Sequence, residues 1–151
     1  MVLEQLKPQI TALLSAEKTP VDERLTQVCV LLQDRIDYYN WVGFYFAHET
    51  EKTLHLKAFA GEPTDHTVIP FGKGICGQVA ENNANFVVPD VKAQDNYIAC
   101  SLTVKAEIVI PLFKNGNNIG QIDIDSHTLD PFTQEDERFL EWVNGEVAKI
   151  L

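Results

Sequence analysis

Two apolar segments, EIVIPLF at Glu107 to Phe113 and IGQIDID at Ile119 to Asp125, flank the turn sequence KNGNN. This arrangement constrains the fold more than any other part of the chain. Asn-Gly between two runs rich in branched residues is a strong short-range signal for a β-hairpin, so the core is expected to contain antiparallel strands. In the second run Asp123 and Asp125 alternate with Ile122 and Ile124, which places both carboxylates on one strand face. The position of Glu107 depends on register. A three-residue loop at Asn115 to Asn117 would pair Glu107 with Asp125 and put all three acids on one face, whereas a two-residue loop would separate them. The sequence leaves both registers open, and acids side by side on a strand are often simply solvated.

The flanking segments supply helices and a second strand pair. Leu3, Leu6, Ile10, Leu13 and Leu14 recur at helical spacing. Thr19 with Pro20 behind it and Asp22 at the third helical position predicts a capped start for a second helix. Its buried face would carry Leu25, Val28, Cys29, Leu32 and Ile36, with Cys29 a small core residue. NWVGFYF at Asn40 to Phe46 and LHLKAF at Leu54 to Phe59 suit paired strands. Trp41 and Tyr45, four apart, fall on one strand face and serve either as core or as a ligand wall. A last helix begins near Thr133, with Glu135 and Asp136 suiting its dipole. Phe139, Leu140, Val143, Val147 and Ile150 form its buried stripe, and Trp142 falls near the edge of that stripe. The order predicts an α/β (α+β) protein, a single domain spanning residues 1–151. Its mainly antiparallel sheet is expected to carry N- and C-terminal helices on one face.

Length and charge narrow the function classes. A chain of 151 residues suffices for one core and is short for two. A net charge of −10 and a pI near 4.7 disfavour nucleic acid, whose phosphates repel excess Asp and Glu. The N-terminal MVLEQLKPQI lacks the pattern of a secretion signal, and no apolar run approaches the length needed to span a bilayer. A cytoplasmic protein with no membrane partner is expected. Three cysteines, an odd number in a chain without a secretion signal, argue against a permanent disulfide framework, so that any disulfide here is expected to be transient and catalytic.

Two of those cysteines lie with the acids between Phe71 and Ser126. Cys76 follows the glycine pair Gly72 and Gly74, near the first turn of a short helix expected over Ile75 to Glu81. Unpaired N–H groups and the helix dipole would lower its pKa there. The alternative is a small residue required where glycines bring backbones together. Cys100 ends PDVKAQDNYIAC, an irregular segment from Pro89 of the kind that carries reactive groups. Thiols beside carboxylates suggest a thiol reaction with a proton donor at hand. No metal site is expected, because the His, Cys and acid residues lack a tight ligand spacing such as CxxC or HExxH.

NWVGFYF, IPFGKGICG, YIACS, EIVIPL and IGQIDIDS, in that order and at these separations, resemble the free methionine-(R)-sulfoxide reductases, small members of the GAF superfamily. The resemblance covers Asn40 to Phe139. It implies a GAF-like sheet and reduction of free L-methionine (R)-sulfoxide, with Cys100 of the IAC motif as nucleophile and Cys76 as a resolving thiol. Glu107, Asp123 and Asp125 match the substrate carboxylates, with Glu107 and Asp125 also in the chemistry, and Trp41 and Tyr45 match the aromatic wall. No bound cofactor is implied; the external reductant would be thioredoxin, supplied by NADPH through thioredoxin reductase. Two positions depart from the family pattern: His66 stands where many members have a further cysteine, and Ala106 replaces the usual Ser before the glutamate. With no cysteine at that position, resolution falls to Cys76 or to an outside thiol. His66, alone in a loop, reads as plain surface, with tuning of a nearby thiolate or of the proton supply as the alternative.

Two other classes compete with this expectation. One is a GAF sensor that binds a small molecule without turnover, and the other is a redox sensor built on Cys76 and Cys100. Nucleotide binding is disfavoured, because a site facing three acids repels phosphate. A homodimer through the terminal helices is compatible with the pattern.

Overall fold

The computed structural model describes residues 2–94 and 103–151. Cys100, Tyr97 and Ser101 lie outside the described residues. The elements run α1 (Val2–Leu14), α2 (Val21–Arg35), β1 (Trp41–His48), β2 (Thr53–Ala60), β3 (Val68–Pro70), α3 (Gly74–Asn82), β4 (Phe86–Val88), a 3-10 turn (Val91–Ala93), β5 (Ala106–Lys114), β6 (Asn117–Ser126) and α4 (Gln134–Ala148). Six strands form one antiparallel sheet in the order β3-β2-β1-β6-β5-β4.

The two faces of the sheet bury different material. Val42, Phe44, Ile108, Ile110, Ile122 and Ile124 pack with the apolar stripes of α1, α2 and α4 into one cluster. Trp41, Tyr45 and Val109 face the other way and cluster with Ile75, Cys76 and Val79 of α3. The terminal helices therefore share one face, as the stripe pattern predicts, while α3 covers part of the opposite one. Cys29 is fully buried in the helical layer as a core residue, and burial pushes its thiol well up. Trp142 sits at the edge of that layer, half-buried, with the Lys7 ammonium 5.2 Å above its ring.

The start of α2 differs from the sequence reading. Pro20, not Thr19, occupies the cap position, with extended backbone (φ −54°, ψ 146°) and no side-chain cap bond. The Thr19 carbonyl instead accepts from Arg24 Nε at 2.7 Å, and the same guanidinium donates to Leu14 O at 3.1 Å and Glu17 O at 2.9 Å. Arg24 thus satisfies a carbonyl at the end of α1, which the helix itself cannot do. At α4 the sequence reading holds: Thr133 caps, and its N–H donates to Asp136 Oδ2 at 2.8 Å. Asp136 Oδ1 also accepts the hydroxyls of Tyr39 at 2.7 Å and Tyr38 at 2.8 Å.

The β5–β6 hairpin has a two-residue turn, with Asn115 and Gly116 at positive φ (53° and 79°) between paired Lys114 and Asn117. That turn alone would offset Glu107 from Asp125. The register shifts, however, between Phe113↔Asn118 and Leu112↔Gly120, so Ile119 is an extra residue in β6. The bulge adds the one residue that the turn lacks and sets Glu107 directly opposite Asp125.

Asp136 joins a helix cap to two tyrosines of the α2–β1 connection. Asp136→Ala is expected to lower unfolding free energy by about 3 kcal/mol through loss of the cap and two buried acceptors, measured by urea denaturation. Asp136→Asn, which keeps one acceptor oxygen, should cost less.

Candidate active site

The carboxyl groups gather on the α3 side of the sheet. Asp123 and Asp125 alternate with Ile122 and Ile124, which point into the helical layer, and the bulged register brings Glu107 to the same face. All three are buried, with 6% or less of each exposed. From above, α3 lowers Cys76 onto them, with Sγ 3.7 Å from Glu107 Oε2. Close packing makes this approach: a Cβ at Gly77 would stand 2.6 Å from the Pro70 carbonyl oxygen, so only glycine lets the first turn of α3 settle there.

Cys76 corrects the pKa expectation. It is the third residue of α3, yet its thiol is pushed well above the usual range by burial, then by the charges of Asp123 and Glu107. Two carboxylates at close range outweigh one helix terminus. Burial also raises Asp125, helped by the charge of Asp123 and opposed by a bond from Glu107. Asp123 rises by burial too, against bonds from Glu107 and Cys76. The cluster therefore holds protons at pH values where a solvated carboxyl has lost them.

The aromatic residues stand on the same face. Gly43, between them, leaves room for the Trp41 ring: a Cβ there would fall 2.3 Å from the indole. Trp41 stacks on Phe59, with centroids 5.9 Å apart and planes 14° apart, and its Nε1 donates to Glu62 O at 2.9 Å. Tyr45, 6.4 Å from Trp41, is almost wholly buried and donates its hydroxyl to the His66 carbonyl at 2.8 Å. A cavity opens between Trp41, Pro63, Thr64, Val104, Asp125 and His127. Trp41 and Asp125 line it, while Tyr45 packs beneath. A broader concavity near Lys52, Phe71 and Phe113, at the opposite end of the strands, contains none of the predicted site residues.

Both departures from the family pattern now have a position. Ala106 faces the helical layer, opposite to Glu107, so a hydroxyl there would not reach the acids from this strand position. His66 is half-buried rather than plain surface, and its backbone anchors Tyr45. Sequence reasoning missed Gln121, whose Nε2 donates to the Cys76 carbonyl at 3.1 Å. The signal was present, since Gln121 lies two residues before Asp123 on the same strand face. Cys100, the predicted nucleophile, lies outside the described residues.

Sheet order, helical layer and the site between the sheet and α3 define a GAF domain, and the GAF domain family model matches residues 18–151. The GAF domain-containing protein A of Dictyostelium discoideum is 41% identical over 98% of this chain and 89% of that protein. The free methionine-R-sulfoxide reductase of Escherichia coli is 36% identical, with 91% and 82% covered. The crystal structure of the Neisseria meningitidis free methionine-R-sulfoxide reductase in complex with its substrate superposes with a TM-score of 0.91 at 34% identity, covering 98% of this chain and 87% of that one. Within the GAF domains, the chain belongs to the free methionine-(R)-sulfoxide reductase family.

Two measurements follow from the electrostatics. Asp125 is raised in the folded state, so its contribution to stability is fully present below the unfolded carboxyl pKa of about 4 and is lost as pH rises through the folded value. Asp125→Asn is therefore expected to stabilise the fold by about 1 kcal/mol at pH 8 and by less at pH 4, seen in paired urea titrations. Cys76 should alkylate with iodoacetamide at least about tenfold more slowly than free cysteine, with peptide mass mapping to assign the site and denaturant restoring its reactivity.

Proposed function

We propose that this protein reduces free L-methionine (R)-sulfoxide to methionine, with Cys100 as the attacking thiol and the buried acids as proton source. The observation that carries this reading is the convergence of Glu107, Asp123 and Asp125 on one buried face beside Cys76. Family membership supports the reductase activity.

The Cys100 thiolate attacks the sulfoxide sulfur. Its oxygen leaves poorly until protonated, and a carboxyl of the cluster gives that proton. Oxygen passes to Cys100 as a sulfenic acid, and the sulfide is released as methionine. The carboxylate left behind can accept the Cys76 proton, with Glu107 Oε2 at 3.7 Å one candidate and Asp123 the other. That step addresses an otherwise inert thiol: Cys76 is held protonated at rest and becomes a nucleophile when the cluster has given up a proton. Its attack on the sulfenic sulfur expels water and forms a disulfide, which the dithiol of thioredoxin reduces by exchange. NADPH, through thioredoxin reductase, is the ultimate electron source.

The acids not engaged in proton transfer suit the α-ammonium of a free amino acid. A peptide-linked residue has an uncharged nitrogen and would gain nothing there. The indole of Trp41 supplies an apolar wall for the methyl end. A redox sensor with Cys76 as its first-oxidised thiol fits less well, because such a sensor relies on an exposed thiol of low pKa, whereas Cys76 is buried and its pKa is raised.

Thioredoxin-coupled oxidation of NADPH, followed separately with the R and S epimers, tests the proposal. Turnover of the R epimer is expected, abolished in Cys100→Ser and reduced by about a hundredfold or more in kcat/KM in Glu107→Gln. Cys76→Ser should lose thioredoxin-supported turnover while retaining one reduction per active site. No reduction of either epimer with thioredoxin or with excess dithiothreitol would overturn the assignment.

A further inference from the structure

We propose that Cys76, Glu107 and Asp123 form a binding site for a thiophilic divalent cation of the zinc class, held by the sulfur and one oxygen from each carboxyl. One ligand atom from each residue lies within 4.8 Å of the other two, and all three residues are buried. Cys76 Sγ and Glu107 Oε2 stand 3.7 Å apart. A tetrahedral zinc ion, with Zn–S near 2.3 Å and Zn–O near 2.0 Å, separates such a pair by roughly 3.5 Å. That pair already stands near tetrahedral spacing, and the Asp123 oxygen, within 4.8 Å of both, would close in by about 1 Å.

An independent observation points to an occupant. Asp123 is only 3% exposed, yet its Oδ1 has no hydrogen-bond partner. Gln121, one pleat away on the same face, also has a buried side-chain oxygen without a partner. Buried acceptors left unmet are costly and uncommon. Among the described residues, no lysine or arginine forms an ion pair with Asp123 or Asp125. A divalent ion held by the Asp123 carboxyl would offset the like charges of the cluster and offer a partner to this under-satisfied group.

The donor set selects the ion. Magnesium and calcium favour all-oxygen shells, whereas a thiolate with carboxylates suits zinc, cobalt or cadmium. The ligands come from α3, β5 and β6, so the site is built on regular elements rather than loops. Three protein ligands leave a fourth position for water or for Asp125 opposite Glu107. Zinc and the substrate ammonium would compete for the same oxygens, and zinc would mask Cys76. This inhibitory consequence rests on the reductase reading, while the binding site itself does not.

Cobalt(II) titration of the reduced, metal-free full chain under anaerobic conditions tests the site through its near-ultraviolet thiolate-to-cobalt band. Wild type and Cys100→Ser are expected to develop the band to one equivalent, with zinc abolishing it. Cys76→Ser and Cys76→Ala should lack it, and Asp123→Asn should bind at least about tenfold more weakly, each with an unchanged far-ultraviolet circular dichroism spectrum. A folded wild type that shows no band at millimolar cobalt overturns the proposal. So does a band that survives in Cys76→Ala and disappears in Cys100→Ser. An intact cobalt band in a protein without turnover would leave the metal site standing and sink the reductase reading; turnover without the band would do the reverse.

Discussion

Burying several carboxyl groups against one another is costly, because each ion loses its hydration and repels its neighbours where the effective dielectric is low. Glu107, Asp123 and Asp125 accept that penalty on a sheet face buried by α3, with the Cys76 thiol among them. The cluster relaxes by keeping protons and by exchanging hydrogen bonds. Those retained protons are what a reaction with a poor oxygen leaving group requires. The unfavourable electrostatics and the proposed chemistry therefore have one source.

The rest of the molecule provides the rigidity this arrangement needs. On the helical side, β5 and β6 present an unbroken isoleucine layer to α1, α2 and α4, which holds the acids in place from behind. In front, α3 is seated by glycines and tied to the sheet by Gln121, which sets the resting thiol against the carboxyls. Packing of this density transmits a shift in one strand to its neighbour.

Much of the fold was legible because its signals are periodic. The stripe of Leu3, Leu6 and Ile10, the Thr133 cap and the alternation of Asp123 with Ile122 each follow from local geometry, and each has its expected place. Effects acting through space were not legible. The helix position of Cys76 suggested an acidic thiol, but its ionisation is set first by burial against the sheet and then by carboxyl groups 31 or more residues away in the chain. The grouping of Cys76, Glu107 and Asp123 was hidden for the same reason, since its members come from three separate elements. Thr19 misled because a favourable cap sequence carries no information about Arg24, whose guanidinium engages the Thr19 carbonyl. The short strands β3 and β4 and the half-buried position of His66 also depend on partners distant in sequence.

The extra residue at Ile119 gives the hairpin a parity rule. Strand faces alternate with a period of two, so the count of residues between Leu112 and Gly120 decides whether Glu107 lies opposite Asp125. A tighter turn with a bulge and a wider turn without one satisfy the same count. The tip can therefore exchange one solution for the other, whereas loss of the bulge with the two-residue turn kept would carry a carboxyl through the sheet to the wrong side. In this hairpin, the number of residues at the tip constrains the site more than their identity does.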